Sequence, residues 1–173
     1  PDRIPWMNAD NESFSLMEDP RVKGKVGILD SAADSLFLMM HHLGIDIREK
    51  DQLTKSAIDK GINKFREMRD SGQIRAFFGD TSSMIEALGN EEIDVALGWN
   101  EIAWNAGAKM MQPANGTMTW ACGLAIVKGA DLDKAYAMIN GATSAETSAY
   151  LLSEWGYGHS NRKGFSTSTA DEL

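Results

Sequence analysis

Apolar and polar positions along this chain follow two different periods. Short apolar runs, rich in β-branched residues and bounded by turn residues, occur at Lys25–Leu29 (KVGIL), Ile74–Phe78 and Ile93–Trp99, and they predict buried strands. Between them the apolar positions recur at helical spacing. Leu36, Phe37, Met39, Met40 and Leu43 predict a helix stopped by Gly44. Leu53, Ala57, Ile58, Ile62, Phe65 and Met68 lie on one stripe of a second helix, for which Asp51 is the expected N-cap and Gly72 the residue past the C-terminus. Ser83 and Glu86 have capping-box spacing for a short helix through Leu88, and a helix from about Asn100 to Ala108 follows the third strand.

Beyond the turn Pro113-Ala114-Asn115-Gly116, Thr117–Val127 (TMTWACGLAIV) reads as one long extended segment of β-formers. Asp131 is placed to cap a helix from Leu132 to Asn140, and Thr143 with Glu146 to open another reaching Trp155. Residues 1 to 19 read as a polar, irregular arm with Trp6 and Phe14 as anchors, and the tail from Gly156 as irregular. Strands alternating with helices predict an α/β fold with a largely parallel sheet. There is no internal repeat and no low-complexity tract.

Composition narrows the function classes. With 173 residues, 43% of them hydrophobic, the chain can bury a core. Its 17 basic and 25 acidic side chains leave a net charge of −8, which argues against nucleic acid as a partner. The longest apolar run, Ser35 to Leu43, is interrupted by His41 and His42 and falls short of a membrane span. Cys122 stands alone, so it has no intramolecular disulfide partner. No leader pattern opens the chain, and its start on Pro1 reads as processed or cut.

Ligands of parallel sheets collect at the carboxyl ends of the strands. The turns there offer Asp30, Ser31, Asp34, Asp80, Thr81, Ser82, Ser83, Trp99 and Glu101, with Trp120 and Cys122 in the later extended segment. Carboxylates beside Trp faces form the kind of cage that holds an organic cation. Asp30, Asp51 and Ser83, taken singly, are explained as well by helix capping. Adjacent His41 and His42 point to different helix faces, which is poor spacing for a metal. No Gly-rich phosphate loop and no nucleophile–base pair is present, so neither enzyme activity nor a cofactor or metal is expected.

Four stretches together carry a resemblance. Asp19-Pro20-Arg21-Val22-Lys23-Gly24-Lys25-Val26-Gly27-Ile28-Leu29-Asp30 and Gly89-Asn90-Glu91-Glu92-Ile93-Asp94-Val95-Ala96-Leu97-Gly98-Trp99-Asn100 are the first two. Pro113-Ala114-Asn115-Gly116 with Trp120 and Leu124-Ala125-Ile126 is the third. The fourth joins Ala135-Tyr136, Ile139-Asn140, Ser144-Ala145-Glu146 and Gly156-Tyr157 with Asn161. In this order, from about Phe14 to Asn161, they resemble the spermidine/putrescine-type solute-binding proteins of ABC importers.

The resemblance implies a type II periplasmic-binding fold of two α/β lobes with a ligand between them, and a chain lacking most of the first lobe. Residues 1–122 would be the second-lobe domain with its arm. Residues 123–173 would be a hinge-crossing segment and helices returning to the first lobe. It further implies a periplasmic location, a small-molecule ligand and ABC permease membrane subunits as partners. The C-terminal helices, whose apolar faces would lack a cover, are expected either to fold back onto the chain's own sheet or to self-associate with a second copy.

Carried over position by position, the implied ligand contacts are Ser31, Asp34, Trp99, Trp120 and Cys122, with Glu101 as a nearby substitute charge. Ser31 and Cys122 stand where polyamine binders have acidic residues. A charge-assisted hydrogen bond contributes about 1.5–3 kcal/mol, so losing two lowers polyamine affinity by roughly two orders of magnitude or more. A compact monoamine, a quaternary ammonium compound or another small polar solute fits the remaining set. The competing expectation is a ligand-sensing effector domain of a transcription regulator, which shares this fold.

Overall fold

The computed structural model describes residues 3–8 and 10–167, and the chain divides into two compact units, Pro1–Met118 and Thr119–Leu173.

In the first unit three parallel strands, β1 (Val26–Leu29), β2 (Ile74–Phe78) and β3 (Val95–Leu97), pair in the order β2-β1-β3. Val26 stands opposite Val95, and Leu29 opposite Phe78. Strand side chains alternate between faces, and the sheet accordingly has two cores. Val26, Ile28, Val95 and Leu97 join Met39, Met68 and Ile74 on one side. Leu29 joins Met84, Leu88, Ile93 and Ile102 on the other. Gly27 faces the second core so tightly that an added Cβ would lie 2.6 Å from Ile93 Cδ1 and 2.9 Å from Phe78 Cε2. No side chain fits there without displacing those two.

Three helices connect the strands, α1 (Asp34–His42) and α2 (Lys55–Asp70) between β1 and β2 and α3 (Thr81–Gly89) between β2 and β3, and α4 (Asn100–Asn105) follows β3. The parallel sheet and its alternation with helices agree with the pattern of the sequence. Several local expectations need correction. The N-cap of α2 is Thr54, which accepts from the Ala57 N–H, and Asp51 lies outside the helix. Leu53 is therefore not on the buried stripe and is exposed. The cap of α3 is Asp80 rather than Ser83, whose N–H and hydroxyl both donate to the Asp80 carboxylate. The third strand is shorter than Ile93–Trp99 because Gly98 and Trp99 already turn into α4.

The arm is not a loose connector. Ser13 and Asp19 cap two 3-10 turns, Phe14–Glu18 and Pro20–Val22, which bury Phe14, Leu16, Met17 and Val22 in the first core. Asp19 accepts from the Arg21 N–H and side chain, and these bonds hold its pKa down to about 2. The Arg21 guanidinium lies over the Trp6 ring at 4.4 Å. Glu18 receives His42 Nε2 at 2.7 Å and also the Lys64 ammonium, joining arm, α1 and α2. Burial raises its pKa, but the bonds to Lys64 and His42 prevail and leave it below the usual carboxylate range.

The second unit holds α5 (Leu132–Ala142), α6 (Ala145–Trp155) and a 3-10 turn, Arg162–Thr167. Asp131 caps α5 as its position predicts. Ser144 caps α6, whereas Thr143 closes α5, its hydroxyl donating to the Ile139 carbonyl at 2.8 Å. Residues 119–127 form no strand, so β-propensity there finds no partner strand among the described residues. The Gly-Tyr…Asn motif has a structural role. Gly156 ends α6 in the left-handed conformation, where its φ of 66° costs a glycine little. Asn161 Nδ2 donates to the Thr143 carbonyl, and the buried Ser148 hydroxyl donates to the Asn161 carbonyl, each at 2.8 Å.

Candidate functional site

Because the strands are parallel, the turns after Leu29, Phe78 and Leu97 share one edge of the sheet. At the end of β1 the buried Ser35 hydroxyl donates to the Leu29 carbonyl at 2.6 Å, and the Ser31 N–H donates to the same carbonyl at 2.8 Å. These bonds wind the chain directly into α1. Ser31 Oγ then accepts from the Asp34 N–H at 3.2 Å and lies 3.0 Å from Asp34 Oδ2, to which it donates. Asp34 sits in the first turn of α1, where the helix dipole favours its negative charge.

The end of β3 supplies the other half. Gly98 lets α4 pack close, since a Cβ there would meet Ile102 Cδ1 at 2.6 Å. Trp99 follows, half-buried, and its indole Nε1 donates to Asp34 Oδ2 at 2.9 Å across 65 positions of sequence. Asp34 Oδ2 thus holds two donors, while Oδ1 accepts from none among the described residues. The result is a carboxylate of fixed orientation beside an indole of fixed orientation. Such a pair can receive one N–H donor, or the positive charge of an alkylated ammonium, on the open oxygen and the ring face.

The structure therefore brings Ser31, Asp34 and Trp99 into one hydrogen-bonded group. Glu101, half-buried, lies in the first turn of α4 two residues beyond Trp99, with its carbonyl accepting from Asn105. Trp120 and Cys122 belong to the second unit. There Trp120 is about half exposed and meets Tyr157 edge-on at 5.8 Å, and Cys122 is an exposed thiol. Asp30 is exposed on the same turn as Ser31, its N–H given to the Phe78 carbonyl. Asp80 plays a different part, because the bonds from Ser83 depress its pKa and commit it to capping α3.

Two contributors carry no signal in the sequence. Ser35 and Gly98 touch no ligand position but set the two turns that carry Asp34 and Trp99. Neither has a spacing signature, because the partner of Ser35 is a backbone carbonyl and the partner of Gly98 is a side chain on the next helix. His41 and His42 serve as ties: His41 Nε2 lies 3.1 Å from the Asn115 carbonyl, and His42 reaches Glu18. Among the described residues no group of three or more His, Cys, Asp or Glu could hold a metal ion.

In open parallel α/β sheets the carboxyl edge, where this carboxylate–indole pair stands, is the usual place of a ligand. Residues 4–171 match the family model of the bacterial extracellular solute-binding proteins, and the chain belongs to that family. No curated protein matches it. Family membership makes it an extracellular solute-binding component of ABC transport. No helix among the described residues is long and apolar enough to cross a membrane.

Proposed function

We propose that this chain receives a small, singly charged amine or quaternary ammonium solute and delivers it to the membrane subunits of an ABC importer in the periplasm. In this reading the fold is a type II periplasmic-binding lobe of the spermidine/putrescine type. The observation that carries it is the Asp34 carboxylate, fixed by Ser31 and the Trp99 indole, with one oxygen left to accept. A single oriented carboxylate balances one positive charge. A polyamine brings several, and Ser31 offers none of the compensation that an acidic residue would. Trp99 supplies a ring wall and Glu101 a peripheral charge.

Isothermal titration against a monoamine, a quaternary ammonium compound and spermidine tests this. Asp34→Asn and Trp99→Ala should each weaken the best ligand by about 10- to 100-fold, the equivalent of one charge-assisted contact. Spermidine should bind more weakly than the best singly charged ligand. If both variants keep full affinity, Asp34 and Trp99 are not the site.

A further inference from the structure

The first unit hands the chain on to the second through residues 108–118, a strap that contains no helix or strand. Gly107 before it and Gly116 near its end have φ of 61° and 82°, so the chain turns sharply at each. Between Lys109 and Met118 a single peptide N–H, that of Gln112, finds a partner outside the strap among the described residues. Its acceptor is Glu12 Oε2, and Glu12 Oε1 receives the Lys109 ammonium. Further along, His41 Nε2 lies 3.1 Å from the Asn115 carbonyl and 3.2 Å from that of Gly116. Met111 and Met118 pack against the first core but are only partly buried.

Burial singles out Glu12 among these ties. Its side chain is 3% exposed, whereas that of Lys109 is 49% exposed. A carboxylate cut off from water must be matched by bonds, and here one oxygen takes a charge and the other a peptide dipole. The bond from Lys109, and after it the bond from the Gln112 N–H, outweigh burial and hold the Glu12 pKa below the usual carboxylate range. Glu12 is itself anchored. It directly precedes Ser13, the cap of the 3-10 turn whose Phe14, Leu16 and Met17 are buried in the first core. A fixed point on the arm is thus joined to a stretch that has little else to fix it.

We infer that Glu12 is the clasp of this strap, a buried carboxylate that pins residues 109–112 to the first unit and thereby shortens the free lead to the second. Opening the clasp lengthens that lead from residues 113–118 to residues 108–118. The reach of a flexible lead grows with its length, so the second unit moves more freely once the clasp is open. Among the described residues neither Asp34 nor Trp99 bonds to Glu12, so the clasp acts on the lead and leaves the carboxylate–indole pair in place.

Two measurements on the full chain test this: amide exchange, and the fluorescence anisotropy of a dye on Cys122, an exposed thiol in the second unit. In the native chain the Gln112 amide should be protected about tenfold or more over that of Ala114, which has no such partner among the described residues. Glu12→Ala should speed exchange at Gln112 by about tenfold or more, the equivalent of one charge-assisted bond, and the dye should depolarise faster. The β1 amides should not change. Glu12→Gln keeps an oxygen for the Gln112 N–H but no charge for Lys109, and should fall between the two. A native Gln112 amide as fast as that of Ala114 would overturn the inference, and this comparison decides even if Glu12→Ala does not fold. An unchanged Gln112 amide in Glu12→Ala would overturn it as well. Equal acceleration at Gln112 and in β1 would make Glu12 a general support of the core and not a clasp. Unchanged dye mobility with Gln112 freed would show that the strap does not control the second unit's lead, and would overturn it too.

Discussion

The contact between Trp99 Nε1 and Asp34 Oδ2 joins the segments that follow β1 and β3, so its removal has a calculable consequence. Trp99→Phe keeps an aromatic ring and deletes only the donor, and Asp34→Asn keeps the shape and deletes the charge. A hydrogen bond to a charged partner contributes about 1.5–3 kcal/mol, and both residues are half-buried, which reduces the figure toward about 1–2 kcal/mol. Each single variant should be destabilised by about that amount. The double variant should lose much less than the sum, because once Trp99→Phe removes the donor the Asp34 charge has no bond left to strengthen. Urea unfolding followed by far-ultraviolet circular dichroism measures all four proteins. Two compact units can unfold in separate steps, so the transition that shifts must be assigned to the first unit by exchange of β1 and β3 amides. A coupling energy below about 0.3 kcal/mol, within the scatter of independent sites, would refute the claim that Asp34 orients Trp99.

Three further outcomes are expected. Gly27→Ala should destabilise the first unit by about 1–3 kcal/mol, since its Cβ would overlap Ile93 and Phe78, and denaturant midpoints check this. Asp19 has a folded pKa of about 2 against an ordinary 3.8, so its stabilising contribution is present above about pH 4 and is lost as pH falls toward 2. Asp19→Asn should flatten the acid limb of the stability profile across that window. Leu132, Tyr136, Met138, Tyr150 and Trp155 remain exposed on α5 and α6, so light scattering should detect concentration-dependent association that Tyr136→Glu weakens. A constant monomer mass at every concentration would count against it.

How much of the fold is legible in the sequence depends on the range of the interactions that decide each feature. Strand and helix identities in the first unit follow from the period of apolar positions, because burial of one face imposes that period directly. Capping patterns point one to three residues away from the true caps at Asp51, Ser83 and Thr143. Near each of them a second Ser, Thr or Asp stands close by, and only the geometry of the chain's arrival chooses between the two. The arm hides its structure for a different reason. Its Phe14, Leu16, Met17 and Val22 sit in 3-10 turns, whose period of three over so few residues leaves no readable repeat. Thr117–Val127 illustrates the limit of propensity. β-Branched and aromatic content marks a segment as fit for a sheet, but a strand exists only where another strand offers its edge.

The candidate site divides along the same line. Asp34 and Trp99 are reachable from sequence because each stands at a strand-to-helix turn on the carboxyl side of a parallel sheet, a location set by topology alone. The bond between them spans 65 positions and depends on β1 and β3 being neighbours with Ile28 opposite Leu97. A shift of β3 by one residue would reverse which of its side chains face each core. Val95 and Leu97 would then leave the first core and Ala96 would enter it, a loss of two large apolar side chains at roughly 1.5–3 kcal/mol each. The register that sets up the carboxylate–indole pair is thus held by packing of the strand beneath it. For the same reason a substitution such as Leu97→Ala should disturb the orientation of Trp99. Near-ultraviolet circular dichroism of the indole band, compared between Leu97→Ala and Trp99→Phe, measures that coupling. An unchanged indole signal in a folded Leu97→Ala protein would show that Asp34 alone suffices to hold the ring.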